Sequence, residues 1–322
     1  MRAPIAILLA AGTVLALSAC SPSTTVQSFD GCTPSIAPGD ASNSVSVETE
    51  FGEAVTAEFE APLVSSDPQV TFLEGPSEPA NEYDYVDAYL TVYLGKTGEL
   101  VQSSHQNETV GGEAQQIRLQ VGGDGPVGEV LECSGPGARI VYTTTIGDVF
   151  GEGFTAQRPD TKPQDSAVLV LDVTKVWPGS ATGRPQPQVD GMPSVARAEN
   201  GQPGLTFPSS AAPEDLTIAT ILKGDGETVA AGDNVVLQYT GVIWETQTVF
   251  DSSWESGQPA TFPLVEGSLI DGFYQAVVGA EVGSQILVSI PEEYGYSDPA
   301  TRPGAIPAGA NLVFVIDVLG IE

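Results

Sequence analysis

The sequence predicts an α+β protein of two domains, each a curved antiparallel sheet wrapped on one short helix. The 322 residues are 41% hydrophobic, which supplies enough apolar material for two cores. Its 36 Gly and 25 Pro residues favour turn-rich β-structure. Runs rich in β-branched and aromatic residues, bounded by glycine and aspartate, occur in the same order in both halves of the chain.

The N-terminus has the pattern of a secretory signal peptide. In residues 1–19, Arg2 precedes an apolar run that ends in small residues. The Leu-Ser-Ala before Cys20 is similar to a bacterial lipobox. This similarity implies that Cys20 is lipidated and becomes the N-terminus, with 20–32 as a lipid-tethered linker at the extracytoplasmic face of the cell membrane. An ordinary signal peptide that ends by chance in a cysteine is the alternative.

Export also determines how the remaining cysteines are interpreted. Cys32 and Cys133 form an even pair once Cys20 is acylated, and they face an oxidising compartment. A Cys32–Cys133 disulfide is therefore the simplest assignment. Two buried free thiols are the alternative, because the sequence gives no distance between them.

The proline- and glycine-rich segment 178–204 predicts a linker between the two domains. The first domain covers 33–177 and the second covers 205–322. Within the second, the runs 235–244, 284–290 and 311–320 predict strands. The pattern of 268–278 predicts the helix, with Ser268 as its N-cap and Gly279 at its C-terminus.

The two halves align with each other. The segment 84–86 matches 233–235 at an offset of 149 residues, and 168–172 matches 313–317 at an offset of 145. A nearly constant offset indicates a duplicated domain whose loops have changed in length.

The charge balance excludes several classes of function. Lys and Arg number 11 against 42 Asp and Glu, so the formal net charge is −31. Such a polyanion repels nucleic-acid phosphates and anionic lipids, so we expect no nucleic-acid partner and only a covalent or hydrophobic membrane attachment. One His and three Cys leave almost no material for a zinc site, and we expect neither metal nor cofactor.

Eight short sequence words in the second domain carry a family resemblance. They are Gly-Asp at 232–233, Gln-Tyr-Thr-Gly at 238–241, Phe-Asp-Ser-Ser at 250–253, Leu-Ile-Asp-Gly-Phe at 269–273, Val-Gly-Ser at 282–284, Ile-Pro-Glu-Glu-Tyr-Gly-Tyr at 290–296, Ala-Ile-Pro at 305–307 and Leu-Val-Phe at 312–314. With these words in this order, the second domain resembles the FKBP-type peptidyl-prolyl cis-trans isomerases. The whole chain is similar to an actinobacterial-like lipoprotein with two such domains, of which the first is degenerate. The resemblance implies an isomerase that acts on proline-containing segments of exported proteins and accepts the macrolide inhibitors of this family.

The resemblance also assigns a binding pocket. Its residues are Tyr239, Phe250, Asp251, Leu269, Ile270, Phe273, Tyr296, Ile306 and Phe314. It implies that three phenylalanines enclose the proline ring, while the Ile270 N–H and the Tyr296 hydroxyl contact ligand carbonyls. Asp251 would orient polar groups at the rim and Tyr239 would brace it.

Three residues depart from the family pattern. Ser256 replaces a supporting arginine, Ala260 replaces an aromatic rim residue, and Arg302 lies near the place of a usual histidine. Phe262 and Tyr274 are expected to be ordinary core or surface residues.

An apolar pocket suits this chemistry because the barrier is the partial double bond of the amide. Water stabilises the planar, dipolar imide. A pocket that removes this water favours the twisted transition state without nucleophile or metal.

In the first domain, the aligned positions are Leu90, Val101, Gln102, Leu169 and Phe150. We therefore expect a degenerate domain that acts as a spacer or as a client-binding surface. A catalytically weak peptide-binding holdase is the main alternative for the whole protein. A solute-binding lipoprotein would require alternating strands and helices, which this pattern lacks.

Overall fold

The computed structural model describes residues 27–106, 114–123, 127–156 and 158–322. The predicted signal peptide and Cys20 lie outside these residues. Within the described ranges, no helix combines the length and apolarity that a membrane span needs.

The first domain is built on a six-stranded antiparallel sheet. The strands of the whole domain are β1 (Ser46–Val47), β2 (Ala57–Glu58), β3 (Gln69–Glu74), β4 (Tyr85–Leu94), β5 (Leu100–Ser103), β6 (Ile117–Gln120), β7 (Arg139–Thr145) and β8 (Ser166–Trp177), of which β3 to β8 form this sheet. The helices of the domain are α1 (Asp40–Asn43), α2 (Ile146–Phe150) and α3 (Glu152–Ala156). The order in the sheet is β3-β7-β8-β4-β5, and β6 also pairs with β4. Strands β1 and β2 form a separate hairpin.

The second domain repeats this topology. Its strands are β9 (Arg184–Pro185), β10 (Ser194–Arg197), β11 (Pro203–Thr206), β12 (Thr217–Lys223), β13 (Asn234–Ile243), β14 (Thr248–Ser252), β15 (Ala260–Pro263), β16 (Gln285–Ile290) and β17 (Leu312–Ile321), and its helices are α4 (Ser253–Ser256) and α5 (Asp271–Val277). The order is β14-β13-β17-β16-β12-β9, and β15 also pairs with β13. The α+β class predicted from the sequence is therefore confirmed.

Three β-bulges occur at equivalent registers in the two sheets. The extra residues are Leu73, Val101 and Thr174 in the first sheet and Ile221, Phe250 and Leu319 in the second. A β-bulge interrupts the hydrogen-bond ladder between two strands at one residue. Bulges at equivalent positions are therefore stronger evidence of duplication than a shared strand order. The structure thus agrees with the duplication inferred from the sequence offsets.

The proline- and glycine-rich segment 178–204 is not a free linker, which corrects the sequence interpretation. It begins the second domain, because β10 and β11 pair across one face of the second sheet. Met192 in this segment is 3% exposed and packs with Leu287 and Val313 of that sheet. The β1–β2 hairpin covers the first sheet in the same way. Proline and glycine here shape turns within a packed hairpin.

Helix α5 packs on the opposite face of the second sheet. It begins at Asp271 after the N-cap residue Ile270, so the prediction that Ser268 caps a helix over 268–278 is wrong. The Ser268 hydroxyl instead donates to the Pro263 carbonyl at 2.9 Å. Gly279 has a φ of +86°, which fits its predicted place just beyond the helix.

The prediction of one short helix in each domain also fails for the first domain. Between β6 and β7, where α5 lies in the second domain, the described residues contain only a 3₁₀ turn at Glu129–Leu131. Helices α2 and α3 follow β7 instead. The glycine-rich stretch before Glu129 does not favour a longer helix.

Both sheets have a buried aspartate at the same position of the central strand. Asp172 forms an ion pair with Arg139, with 2.7 Å between Nη2 and Oδ2. Asp317 instead accepts hydrogen bonds from Gln285 at 2.7 Å and from the Ala181 N–H at 2.8 Å. With no cation in direct contact, burial raises the pKa of Asp317 to about 6, although these hydrogen bonds oppose the shift.

The predicted disulfide between Cys32 and Cys133 is present, with 5.5 Å between the Cα atoms. It attaches the N-terminal segment to the first domain across 101 residues. On the same segment, the Phe29 ring packs on Phe72 with centroids 4.7 Å apart.

The two domains share a buried interface. Its apolar centre consists of Tyr85 and Trp177 from the first domain and Val236 and Leu319 from the second. Arg118 bridges the domains, since it contacts Asp87 at 2.7 Å and Glu322 at 2.9 Å.

Candidate functional site

A cavity of about 490 Å³ opens on the α5 side of the second sheet. Eight of the nine pocket residues assigned from the sequence line it: Tyr239, Phe250, Asp251, Leu269, Ile270, Phe273, Tyr296 and Phe314. The ninth, Ile306, is 4% exposed and belongs to the adjoining hydrophobic core rather than to the cavity lining.

The floor of the cavity depends on a glycine in β13. Gly241 pairs with Phe314 of β17 on one side and with Asp251 of β14 on the other. A Cβ atom at this position would lie 2.7 Å from the Phe250 ring and 2.8 Å from the Phe314 ring. Such distances are too short for carbon atoms, so a side chain here would displace both aromatic walls.

The bulge at Phe250 explains how two consecutive residues reach the same cavity. In a regular strand, neighbouring side chains point to opposite faces. Because Phe250 is the extra residue of the β13–β14 pair, the alternation is interrupted at that point. Phe250 and Asp251 therefore both line the cavity.

The aromatic rings meet edge to face. Phe314 is 5.2 Å from Phe273 and 5.5 Å from Phe250 between centroids, both at 88°. Tyr239 is 6.1 Å from Phe273 at 89°. Such edge-to-face contacts are favourable, so the rings stabilise one another's positions. An apolar recess lies between them.

Phe262 also lines the cavity, contrary to the expectation of an ordinary core or surface role. Its ring lies 5.7 Å from Tyr239 and 5.9 Å from Phe273. The sequence contained a signal for this placement. Ala260 had been assigned to the rim, and residues two apart on a strand share a face.

Polar groups lie at one side of the aromatic recess. The Tyr239 hydroxyl donates to Asp251 Oδ2 at 2.8 Å. Burial, followed by the hydrogen bond to Asp251, raises the pKa of Tyr239 far above its usual value. Burial also raises the pKa of Tyr296, with a smaller contribution from the Asp251 charge. Both phenols are therefore neutral donors at physiological pH.

Two cavity-lining groups are suited to donate to a ligand, because they have no acceptor among the described residues. One is the Tyr296 hydroxyl and the other is the backbone N–H of Ile270, the residue before α5. The Ile270 carbonyl, by contrast, accepts from Phe273 and Tyr274 in the first turn of the helix. The Ile270 N–H at the helix start is therefore available to donate to a ligand carbonyl.

Two of the three departures from the family pattern, Ser256 and Arg302, have local consequences. Ser256 donates to the Ser253 carbonyl at 2.8 Å within α4. Its replacement of an arginine leaves Tyr239 as the one side chain bonded to Asp251 among the described residues. Arg302 contacts Glu292 at 3.3 Å and does not line the cavity.

The first domain has aliphatic residues at three of the five aligned positions, Leu90, Val101 and Leu169. Leu90 and Val101 are partly buried against its core, and Val101 occupies the bulge that Phe250 occupies in the second domain. The Phe150 ring stacks on Phe154 at 4.3 Å instead of facing an aromatic recess. Across the described residues, no group of three or more His, Cys, Asp or Glu side chains could hold a metal ion.

Comparisons with known proteins match the second half of the chain. The sequence profile of the FKBP-type peptidyl-prolyl cis-trans isomerase family matches residues 225–319. An FK506-binding protein of Streptomyces anulatus is 38% identical over 120 residues, which cover 37% of this chain and 97% of the relative. A probable FK506-binding protein of Corynebacterium glutamicum is 38% identical over 118 residues, with the same coverage of 37% and 97%. Among solved structures, FkpA from Escherichia coli is 27% identical with a TM-score of 0.31, covering 42% of this chain and 53% of that one.

Proposed function

This chain belongs to the FKBP-type peptidyl-prolyl cis-trans isomerases, and from that premise we propose that it is a lipid-anchored isomerase that assists the folding of exported proteins. The isomerase activity resides in the second domain, which contains the family match. The observation that supports the assignment of the site is the aromatic cavity that is lined by Ile270 and Tyr296, whose N–H and hydroxyl have no acceptor among the described residues.

In the proposed mechanism, the proline ring of the substrate enters between Phe250, Phe273 and Phe314. Uncatalysed rotation about the X–Pro bond takes tens of seconds or more because resonance stiffens the amide. The aromatic walls exclude the water that would stabilise the planar imide, so the twisted state becomes relatively more favourable. No bond breaks, and rotation requires neither a nucleophile nor a proton acceptor.

The polar groups then orient the peptide. The Ile270 N–H donates to one substrate carbonyl, and the Tyr296 hydroxyl donates to the neighbouring one. Asp251 accepts from Tyr239, which fixes the phenol against the recess. Each such hydrogen bond contributes about 0.5–1.5 kcal/mol net, so together they position the peptide without holding it tightly.

Two observations support a location outside the cytoplasm. The signal pattern of 1–19 ends in a lipobox-like sequence at Cys20. A disulfide between Cys32 and Cys133 is typical of an oxidising compartment. The clients in this proposal are proline-containing segments of newly exported chains. The first domain acts as a spacer or a client-binding surface.

The activity is tested by following isomerisation of a proline peptide by the full chain, with and without a pocket-filling macrolide of the FKBP-binding class. We expect catalysis that the macrolide abolishes. Suppression of client aggregation with no isomerisation would favour the peptide-binding holdase instead.

The membrane anchor is tested by Cys20→Ser. This change should release the mature protein into the medium or leave an uncleaved precursor. Unchanged partitioning into detergent extracts of membranes would show that no lipid on Cys20 is needed.

A further inference from the structure

A series of hydrogen bonds, buried where it begins, connects the first domain to the active-site wall of the second. Gln238 Nε2 donates to the Tyr85 hydroxyl at 3.2 Å, and Gln238 Oε1 accepts from the Ser253 hydroxyl. The same Ser253 Oγ accepts the Tyr239 N–H at 2.8 Å. The Tyr239 hydroxyl continues to Asp251 at 2.8 Å. One residue of the first domain, Tyr85, thus lies at the start of a series that ends at the cavity.

The first three residues of the series are shielded from water. Tyr85 is 2% exposed, Gln238 0% and Ser253 3%. A buried amide that loses its partner bears the full cost of desolvation, and neighbouring hydrogen bonds in such a network strengthen one another. Burial also raises the pKa of Tyr85, so its hydroxyl stays neutral and keeps its donor proton.

Tyr85 also contacts the helix that follows β14. Its hydroxyl donates to the Gly257 carbonyl at 3.3 Å, at the C-terminal end of α4. Through its two bonds the hydroxyl joins β13, which carries Tyr239, to the end of the β14–α4 segment, which carries Phe250 and Asp251. The segments on both sides of the cavity wall are therefore hydrogen-bonded to one oxygen atom of the first domain, that of the Tyr85 hydroxyl.

The internal duplication shows which part of this network is specific to the second domain. In the first domain, Ser104 Oγ accepts the Leu90 N–H at 3.0 Å, which is the equivalent of the bond from Tyr239 to Ser253. At the offset of 149 residues, however, Tyr89 stands in the place of Gln238. The serine bond belongs to the shared fold, whereas the glutamine that reaches Tyr85 occurs only in the catalytic domain.

We propose that Tyr85 is a positioning residue for the active site of the second domain. It acts through Gln238 and Ser253 to fix the main chain at Tyr239, and through Gly257 to fix the segment that carries Asp251. The first domain thereby contributes to the rate of isomerisation without touching the peptide. This inference rests on the proposed roles of Tyr239 and Asp251.

The test is Tyr85→Phe in the full chain, which removes the hydroxyl and keeps the ring that packs at the interface. We expect kcat/KM for a proline peptide to fall about threefold to tenfold, the effect of losing one buried hydrogen bond. The amide resonance of Tyr239 in a ¹H–¹⁵N spectrum should shift. Gln238→Met removes the next group in the series and provides a second variant with the same expected effects.

Two comparisons separate positioning from general weakening of the interface. Lys175→Met removes an interdomain hydrogen bond to the Ile321 carbonyl, 3.1 Å long, that lies outside the network, and should leave kcat/KM within about twofold. In a Tyr239→Phe background, Tyr85→Phe should lower kcat/KM less than it does in the wild type. The reason is that the Tyr239 hydroxyl, which the network is proposed to position, is already absent.

Several results would overturn the inference. They are full activity in folded Tyr85→Phe and Gln238→Met, an equal loss in Lys175→Met, or a full effect of Tyr85→Phe in the Tyr239→Phe background. A wild-type chain that does not isomerise the peptide would instead refute the proposed function, and this inference with it.

Discussion

Removal of one aromatic wall should slow the isomerisation strongly. Phe250 is partly buried and lines the cavity, so a bound proline ring would cover more of its side chain. Burial of a whole Phe side chain contributes about 1.5–3 kcal/mol, and we take about half of that for the part covered by substrate. Water admitted to the imide restores a hydrogen bond worth about 0.5–1.5 kcal/mol to the planar state. The sum, about 1.3–3 kcal/mol, predicts that Phe250→Ala lowers kcat/KM about tenfold to a hundredfold.

The internal duplication supplies a matched control for this variant. Val101 occupies the same bulge in the first domain, so Val101→Ala truncates an equivalent side chain outside the active site. We expect Val101→Ala, and likewise Phe150→Ala, to retain wild-type kcat/KM in the same peptide assay.

A second active-site variant, Phe273→Ala, should also lower kcat/KM more than tenfold. However, Phe273 is 4% exposed, and core Phe→Ala changes cost about 3–5 kcal/mol of stability. Folded Phe250→Ala with full activity, or Phe150→Ala without activity, would refute the assignment of the pocket.

Three further measurements test other parts of the structure. Tyr296→Phe should lower kcat/KM about twofold to tenfold with an almost unchanged melting temperature, because only one ligand hydrogen bond is lost; an unchanged rate would remove Tyr296 from the mechanism. The raised pKa of Asp317, about 6, favours the protonated carboxyl in the folded state, so stability should be fully present below about pH 4 and decline as pH rises through 6. Urea titrations at several pH values should show this slope, and Asp317→Asn should flatten it. The Cys32–Cys133 bond closes a loop of about 100 residues, worth about 4–5 kcal/mol in the chain-entropy model, so Cys133→Ser should markedly lower the denaturation midpoint; quantitative alkylation of both thiols in the unreduced wild type would show that the bond is absent.

Much of the site was predictable because the family words fix the identity and spacing of its residues. Eight of nine assigned residues line one cavity, although they come from several strands and one helix. The sheet that assembles them is encoded locally, in β-branched runs separated by turns. The duplication was equally visible, since strand order survives where the pocket residues do not.

The two incorrect predictions, of a linker over 178–204 and of an N-cap at Ser268, share a physical cause. The segment 178–204 has the composition of a linker, and only packing of Met192 against the second sheet shows that it is folded. Ser268 is a good capping residue by type, but it lies two residues before Ile270, the extended N-cap residue at which α5 starts. In both places, local propensity competes with tertiary contacts, and the contacts decide because they bury more surface.

The sequence by itself determined the α+β class, the duplicated pattern and the family of the second domain. Tertiary structure alone decided that the bulge at Phe250 turns two adjacent side chains inward and that Tyr85 reaches Gln238 across 153 residues. The reason is that strand and helix patterns repeat over a few residues of chain. A hydrogen bond between domains depends on how two finished surfaces meet, and no local pattern records that geometry.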